Sequence, residues 1–333
     1  MKIDILRRSL ALALAAALFA APALATSDFS SAAIGTAGSE FLLLDIGARG
    51  IAMAGAYTAV ADDAYSIYWN PAGLAKVPRL SAGAMYSNYV ADVSYQSLSY
   101  AQRVNSTSVL AAGLRYQDLG AITHTDISAN DMGTFHPRNY VAELGWGQSV
   151  YDLSDSDMDV ALGATGRWIH SDLLAHADGY GGDIGLQARF YTNSLGYDLG
   201  AVVQNMGVGQ KFGSTRDTLP LRVKFGGALH PLSNLILSAD VDLPINNAPY
   251  GAAGCEYTLE IQEAVKAMLR AGYTTLNLSD LGPLNGMNLG VGLSISDFSF
   301  DYAFTPMGVL GQVHRFSISF NLPAKASRSY RER

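Results

Sequence analysis

The chain has 333 residues, of which only 15% are charged, and a formal net charge of -7, so it carries no basic footprint for nucleic acid. Its 34 glycines and 18 tyrosines are high for a soluble enzyme, and the single Cys255 excludes an intramolecular disulfide framework and a cysteine-based zinc site. Mean hydropathy is only mildly apolar and no mature stretch is long and apolar enough for a membrane helix, whereas a barrel that averages a lipid face with a polar lumen has this balance.

Residues 1–25 read as a secretory signal: Lys2, Arg7 and Arg8 precede an apolar run over 10–21, and Ala23-Leu24-Ala25 has the small-x-small cleavage pattern. No lipidation cysteine stands at the cleavage site, so an exported chain beginning near Thr26 is expected.

Residues 26–79 form a different kind of segment. The stretch 41–77 is rich in Gly and Ala, too polar to span a bilayer and too apolar for water. It closes on Asn70-Pro71-Ala72-Gly73-Leu74, a turn in which Pro71 fixes its own φ and Gly73 supplies a permissive joint. The expected place for it is the inside of a membrane barrel, as a hatch anchored by Arg49, Asp62, Asp63 and Asn70. Such a plug either shifts to open a path or stays in place as a seal.

From residue 80 to 320 the pattern is period-2 alternation. Strands are expected near 80–89, 94–104, 107–117, 138–150, 158–170, 180–191, 196–205, 220–230, 234–243, 249–259, 263–274, 285–296, 297–305 and 312–320. The fold class is therefore all-β, a transmembrane antiparallel barrel of about 14 strands with the N-terminal hatch in its lumen. With the N-terminus inside, the periplasmic turns are short and the outer loops over 118–137 and 206–219 are long. A soluble sandwich alternates too, but the polar face here carries acids and bases on neighbouring strands: Arg222 and Lys224 beside Asp240 and Asp242, and Asp301 opposite Arg315 if the last hairpin centres on Gly308. A lumen of mixed charge fits that face, and the localisation is the bacterial outer membrane. Residues 321–333, with Lys325, Arg328, Arg331 and Arg333, read as a basic periplasmic tail.

Other polar clusters carry less. His170-x-Asp172 and His176-x-Asp178 are expected in an outer loop without fixed metal geometry. Asp152, Asp155, Asp157 and Asp159 lack the glycine and closing glutamate of a calcium loop, and Gly207-Val208-Gly209 lacks the strand–helix context of a phosphate loop. His314 falls on the opposite face from Ser317 and Ser319, and no nucleophile elbow is present, so no catalytic site, metal or cofactor is expected.

Phe41-Leu42-Leu43, Gly47-Ala48-Arg49, Ala61-Asp62-Asp63-Ala64 and Tyr68-Trp69-Asn70-Pro71-Ala72-Gly73-Leu74 resemble the opening block of the PorV/PorQ family, a branch similar to the FadL-type outer-membrane barrels. Weaker echoes run through Gln204-Asn205-Met206-Gly207, Leu219-Pro220-Leu221-Arg222, Leu269-Arg270-Ala271-Gly272-Tyr273 and Asp301-Tyr302-Ala303-Phe304. The resemblance implies a 14-stranded barrel with an internal hatch. FadL relatives move hydrophobic molecules such as long-chain fatty acids, whereas a PorV-like member receives secreted proteins from a type IX translocon. The expected function is passive transport of a hydrophobic small-molecule ligand past the hatch. The alternative is an escort platform whose partners are secreted proteins or translocon components. Outer-membrane lipid is the surrounding partner in both.

Overall fold

The computed structural model describes residues 28–151, 158–191, 195–276 and 282–323. The expected signal segment, the basic side chains of the tail, and Asp152, Asp155 and Asp157 lie outside them. In chain order the strands are β1 (Leu80–Asn88), β2 (Ser94–Arg103), β3 (Ser108–Asp118), β4 (Ile122–Thr125), β5 (Asp131–Phe135), β6 (Arg138–Tyr151), β7 (Met158–Asp172), β8 (His176–Tyr191) and β9 (Gly196–Val208). They continue with β10 (Lys211–Phe212), β11 (Thr215–Arg216), β12 (Arg222–Leu232), β13 (Leu235–Pro244), β14 (Tyr250–Gln262), β15 (Val265–Thr274), β16 (Met287–Ile295), β17 (Phe298–Pro306) and β18 (Gln312–Leu322).

Among the described residues, 14 strands close into one antiparallel barrel in which β1 pairs with β18, Leu80 facing Leu322. The remaining four form two small hairpins, β4–β5 and β10–β11, outside the barrel wall. The barrel begins and ends at one rim, where the turns between β12 and β13, β14 and β15, and β16 and β17 are two residues each. Short turns mark the periplasmic rim of an outer-membrane barrel, so both small hairpins stand at the outer rim.

The wall is inside out relative to a soluble sandwich. Leu98, Leu114 and Leu144 are 57%, 56% and 72% exposed, while Arg115, Glu143, Arg167 and Asp183 are buried. Period-2 alternation thus sends the apolar set to lipid and the charges to the lumen. Aromatic side chains border the lipid face near the outer rim, with Tyr116 and Tyr140 rings 5.1 Å apart and Trp168 stacked at 5.4 Å on His170.

Two expectations are corrected. The last hairpin centres on Val309 rather than Gly308: Pro306 pairs with Gln312, and Met307 N–H donates to Gly311 O at 2.8 Å. That single-residue change moves every pairing by two, so Asp301 faces Ser317 and Arg315 faces Ala303. The His170 and His176 pairs are also not loop residues. β7 and β8 run on past the expected ends, and His170 and His176 stand on facing strands of a hairpin whose turn is 173–175.

Candidate functional site: the N-terminal segment within the barrel

The segment between 41 and 77 is almost wholly buried, yet it has little regular structure: a 3-10 turn over Glu40–Leu43, α1 (Ala48–Ala52), α2 (Ser66–Trp69) and a 3-10 turn over Pro71–Lys76. Its backbone groups must find partners elsewhere, because an unpaired buried amide is costly. They find them on side chains around the wall. Asp240 of β13 accepts from the Tyr57 and Thr58 amides at 3.2 and 3.0 Å, and Ser238 donates to Ala56 O at 2.7 Å. Gln187 of β8 donates to Thr58 O and Ala61 O at 2.9 and 3.2 Å. Thr165 of β7 donates to Ile67 O at 3.1 Å, and Gln204 of β9 donates to Tyr68 O. Ser81 of β1 accepts from the Ala64 amide at 2.9 Å, and Ser317 of β18 accepts from the Ala48 amide at 3.2 Å.

The closing turn is the tightest part. Asn70 caps it, its Oδ1 accepting from the Ala72 amide at 3.2 Å, with Pro71 at the first helical position, where no amide is needed. The Asn70 amide nitrogen donates to Thr58 O at 2.9 Å and to Leu186 O of β8 at 3.1 Å. Gly73 lies against Ala61 O, which a Cβ would approach to 2.3 Å.

Arg49 projects from α1 toward the periplasmic rim. Its guanidinium makes two 2.8 Å bonds to Glu256 of β14 and one of 2.7 Å to Asp62. Glu256 also accepts from Arg270 of β15 at 2.5 Å, and Arg270 reaches Asp301 of β17 at 2.6 Å. Asp63, half-buried beside this cluster, accepts from the Tyr65 amide at 2.9 Å. Burial first, and then the Asp62 charge, push its carboxyl up to about 7.

On the other side of the segment, Arg222 lies 3.5 Å from Asp242, and Lys224 lies 3.7 Å from Asp240 while donating to Gly55 O at 3.1 Å. The Lys224 ammonium stands 5.2 Å over the Trp69 ring. Asp301 and Arg315 do not meet, as the corrected register requires: Asp301 takes Arg270, and Arg315 donates to Thr305 Oγ1 at 2.8 Å. A further buried chain runs through Arg115, Glu143, Arg167 and Asp183, with Arg115–Glu143 at 2.9 Å and Arg167–Glu143 at 3.1 Å. The sequence reading missed these four and the Glu256–Arg270 pair. Their signal was charge at lumen parity, one residue each on β3 and β6 and, on β7, β8, β14 and β15, a second on the same face in Asp159, Arg189, Glu260 and Lys266.

Two cavities flank the segment. The outer one, about 400 Å³, is bounded by Trp69, Arg222, Asp242, Asn246 and Arg315 among others. The periplasmic one, about 940 Å³, is bounded by Arg49, Asp62, Asp63, Glu256, Arg270 and Asp301 among others. Outside the lumen, His170 Nδ1 lies 2.9 Å from Asp178, and His176 Nδ1 lies 3.1 Å from Asp172. The His314 ring contacts Tyr302 Oη at 2.7 Å, whereas Ser317 turns inward to the Ala48 amide.

A sequence model described as type IX secretion system protein PorV matches residues 27–208. No curated protein sequence matches. Among solved structures, the Ralstonia pickettii toluene transporter TbuX superposes with a TM-score of 0.56 at 13% identity, covering 85% of this chain and 100% of that one. The Pseudomonas putida toluene transporter TodX gives 0.54 at 13% identity, covering 82% of this chain and 96% of that one. A Pseudomonas aeruginosa FadL homologue gives 0.50 at 11% identity, covering 83% and 98%. At these identities the likeness is one of fold, that of an outer-membrane barrel.

Proposed function

The chain belongs to the PorV family, and from that premise we propose that it is an outer-membrane platform that holds secreted proteins at its outer loops, with residues 26–79 acting as a hatch that keeps the lumen closed. The observation that carries this reading is where apolar surface lies. Ile127 at the tip of β4–β5, Leu174 at the tip of β7–β8 and Val309 at the tip of β17–β18 are 105%, 67% and 94% exposed beyond the outer rim. Exposed apolar side chains above the lipid belt favour association with a protein partner. The path through the lumen has the opposite character, since both cavities beside the hatch are bounded by ion-paired side chains.

The test is removal of the β4–β5 hairpin by joining Gly120 to His136. β3 and β6 still pair from Asp118 to Arg138, so the barrel assembles. Secreted proteins then fail to reach the cell surface. Secretion that continues unchanged counts against the reading.

Transport of a hydrophobic small molecule is the second reading, favoured by the fold shared with two toluene transporters. Under it the hatch moves, and Arg49 is the contact that must break, because it ties α1 to β14. Uptake of toluene by cells that carry the intact barrel but not by cells that lack it supports this second reading against the first.

A further inference from the structure

The N-terminal segment begins above the part that fills the lumen. Residues 29–40 run as a strap across the outer rim and join two of its connections. The Phe29 amide donates to Ile245 O at 2.8 Å, in the connection between β13 and β14. The Gly38 amide donates to Thr218 O at 2.9 Å and Ser39 Oγ donates to Gln210 at 2.8 Å, both in the connection over 209–221. The strap then returns to the first connection, where Asn246 Nδ2 donates to the Glu40 carboxylate at 2.9 Å. Ile34 and Glu40 stand in the boundary of the outer cavity, so the strap closes part of its outward side.

The strap and the hatch beyond it are held very differently. Among residues 28–40 only Ala33 is buried. Immediately beyond, Leu42 is 1% exposed and packs with Val141, Ile169 and Leu219. Lifting the strap therefore exposes little apolar surface, whereas lifting the chain past Leu42 exposes much. The strap is also strained where it meets the rim. Phe29 has a φ of 59° and Ser39 a φ of 55°, left-handed values that disfavour any residue with a Cβ. Release from the rim relieves that strain and offsets part of the cost of the broken hydrogen bonds.

We propose that residues 29–40 are a lid that turns about Ser39 and opens the outer cavity to the exterior while residues 41–77 stay in place. Access to the outer cavity is then governed separately from any movement of the hatch. The inference rests on neither functional reading and holds under both.

Thiol labelling of the full chain in nanodiscs tests it, with a stilbene disulfonate maleimide as probe and the native thiol removed by Cys255→Ala. One reporter, Ala252→Cys, lies in the boundary of the outer cavity, and the other, Ser299→Cys, in that of the periplasmic cavity. Two substitutions loosen the strap without touching the hatch or the barrel strands. Glu40→Ala removes the bond from Asn246, and Gly38→Val sets a Cβ 2.6 Å from Asp217 Cβ and pries the strap from the rim. Each should speed labelling of the Ala252→Cys reporter at least about fivefold, the effect of one lost hydrogen bond on the opening equilibrium, and leave the Ser299→Cys reporter unchanged. Heat-modifiable migration confirms that each variant is folded, and Glu40→Ala alone decides the case if Gly38→Val does not fold. An unchanged rate at the Ala252→Cys reporter overturns the proposal. So does an equal rise at both reporters, which would mean that the whole N-terminal segment shifts as one piece.

Discussion

Asp63 shows what a single residue contributes to the N-terminal segment. Burial and the neighbouring Asp62 raise its carboxyl to about 7, with Arg49 opposing the rise and Asp301 adding to it. The folded state therefore holds a proton that the unfolded chain has already released near neutral pH. The stabilisation is fully present below the ordinary carboxylate value and is lost as pH rises through about 7. Melting of the barrel between pH 5 and 8 should show this decline, and Asp63→Asn should flatten it. Arg49 is the complementary case, since its charge is met by Glu256 and Asp62. Arg49→Met leaves Glu256 with Arg270 as a remaining partner, so the cost should be about 2 kcal/mol, the scale of hydrogen bonds to charged groups, read from the shift in the denaturant midpoint. No loss of stability would mean that the Arg49 contacts are solvent-screened and do not fasten the segment.

At the scale of elements, the wall and the segment fit by close backbone approach. Gly163 of β7 leaves room for the Pro71 carbonyl, which a Cβ would approach to 2.1 Å, and Gly185 of β8 leaves room for Asn70 Oδ1, at 1.9 Å from the same imagined atom. Gly163→Val should displace the closing turn while the strand pairing of β7 persists, at about 1–3 kcal/mol for the overpacking. Trypsin should then cut after Arg49 or Lys76 in a barrel that still migrates as folded. Resistance equal to the parent chain would show that the turn is not held by this contact. The strands themselves were largely legible, because Leu289, Val291 and Leu293 alternate with Gly290 and Gly292 and lipid and lumen each demand one face. The ends were not. In the extension of β8 back to His176, the inward face is buried but carries only Ala177 and Gly179, against the exposed His176, Asp178 and Tyr180, so the alternation left no apolar pattern to read. The pairing of Asp301 depended on where one five-residue turn centres, which composition does not fix. The Arg49–Glu256 contact joins residues 207 apart, so each charge was visible in the sequence and their meeting was not.

The molecule as a whole is a barrel whose lipid face and lumen exchange the usual places of apolar and charged residues, with the N-terminal segment hydrogen-bonded to strands on all sides. Under the proposed reading, the ion pairs beside that segment keep the lumen closed to hydrocarbon and the exposed apolar tips of the outer rim take the protein partner. The most direct measurement is native mass spectrometry of the protein extracted in mild detergent from its own membrane, alongside the barrel lacking the β4–β5 hairpin. The account predicts a complex between the intact barrel and a secreted protein, lost on hairpin removal, and no stoichiometric lipophile in the lumen. A stoichiometric hydrophobic molecule retained by both barrels, with no protein partner on either, would contradict it.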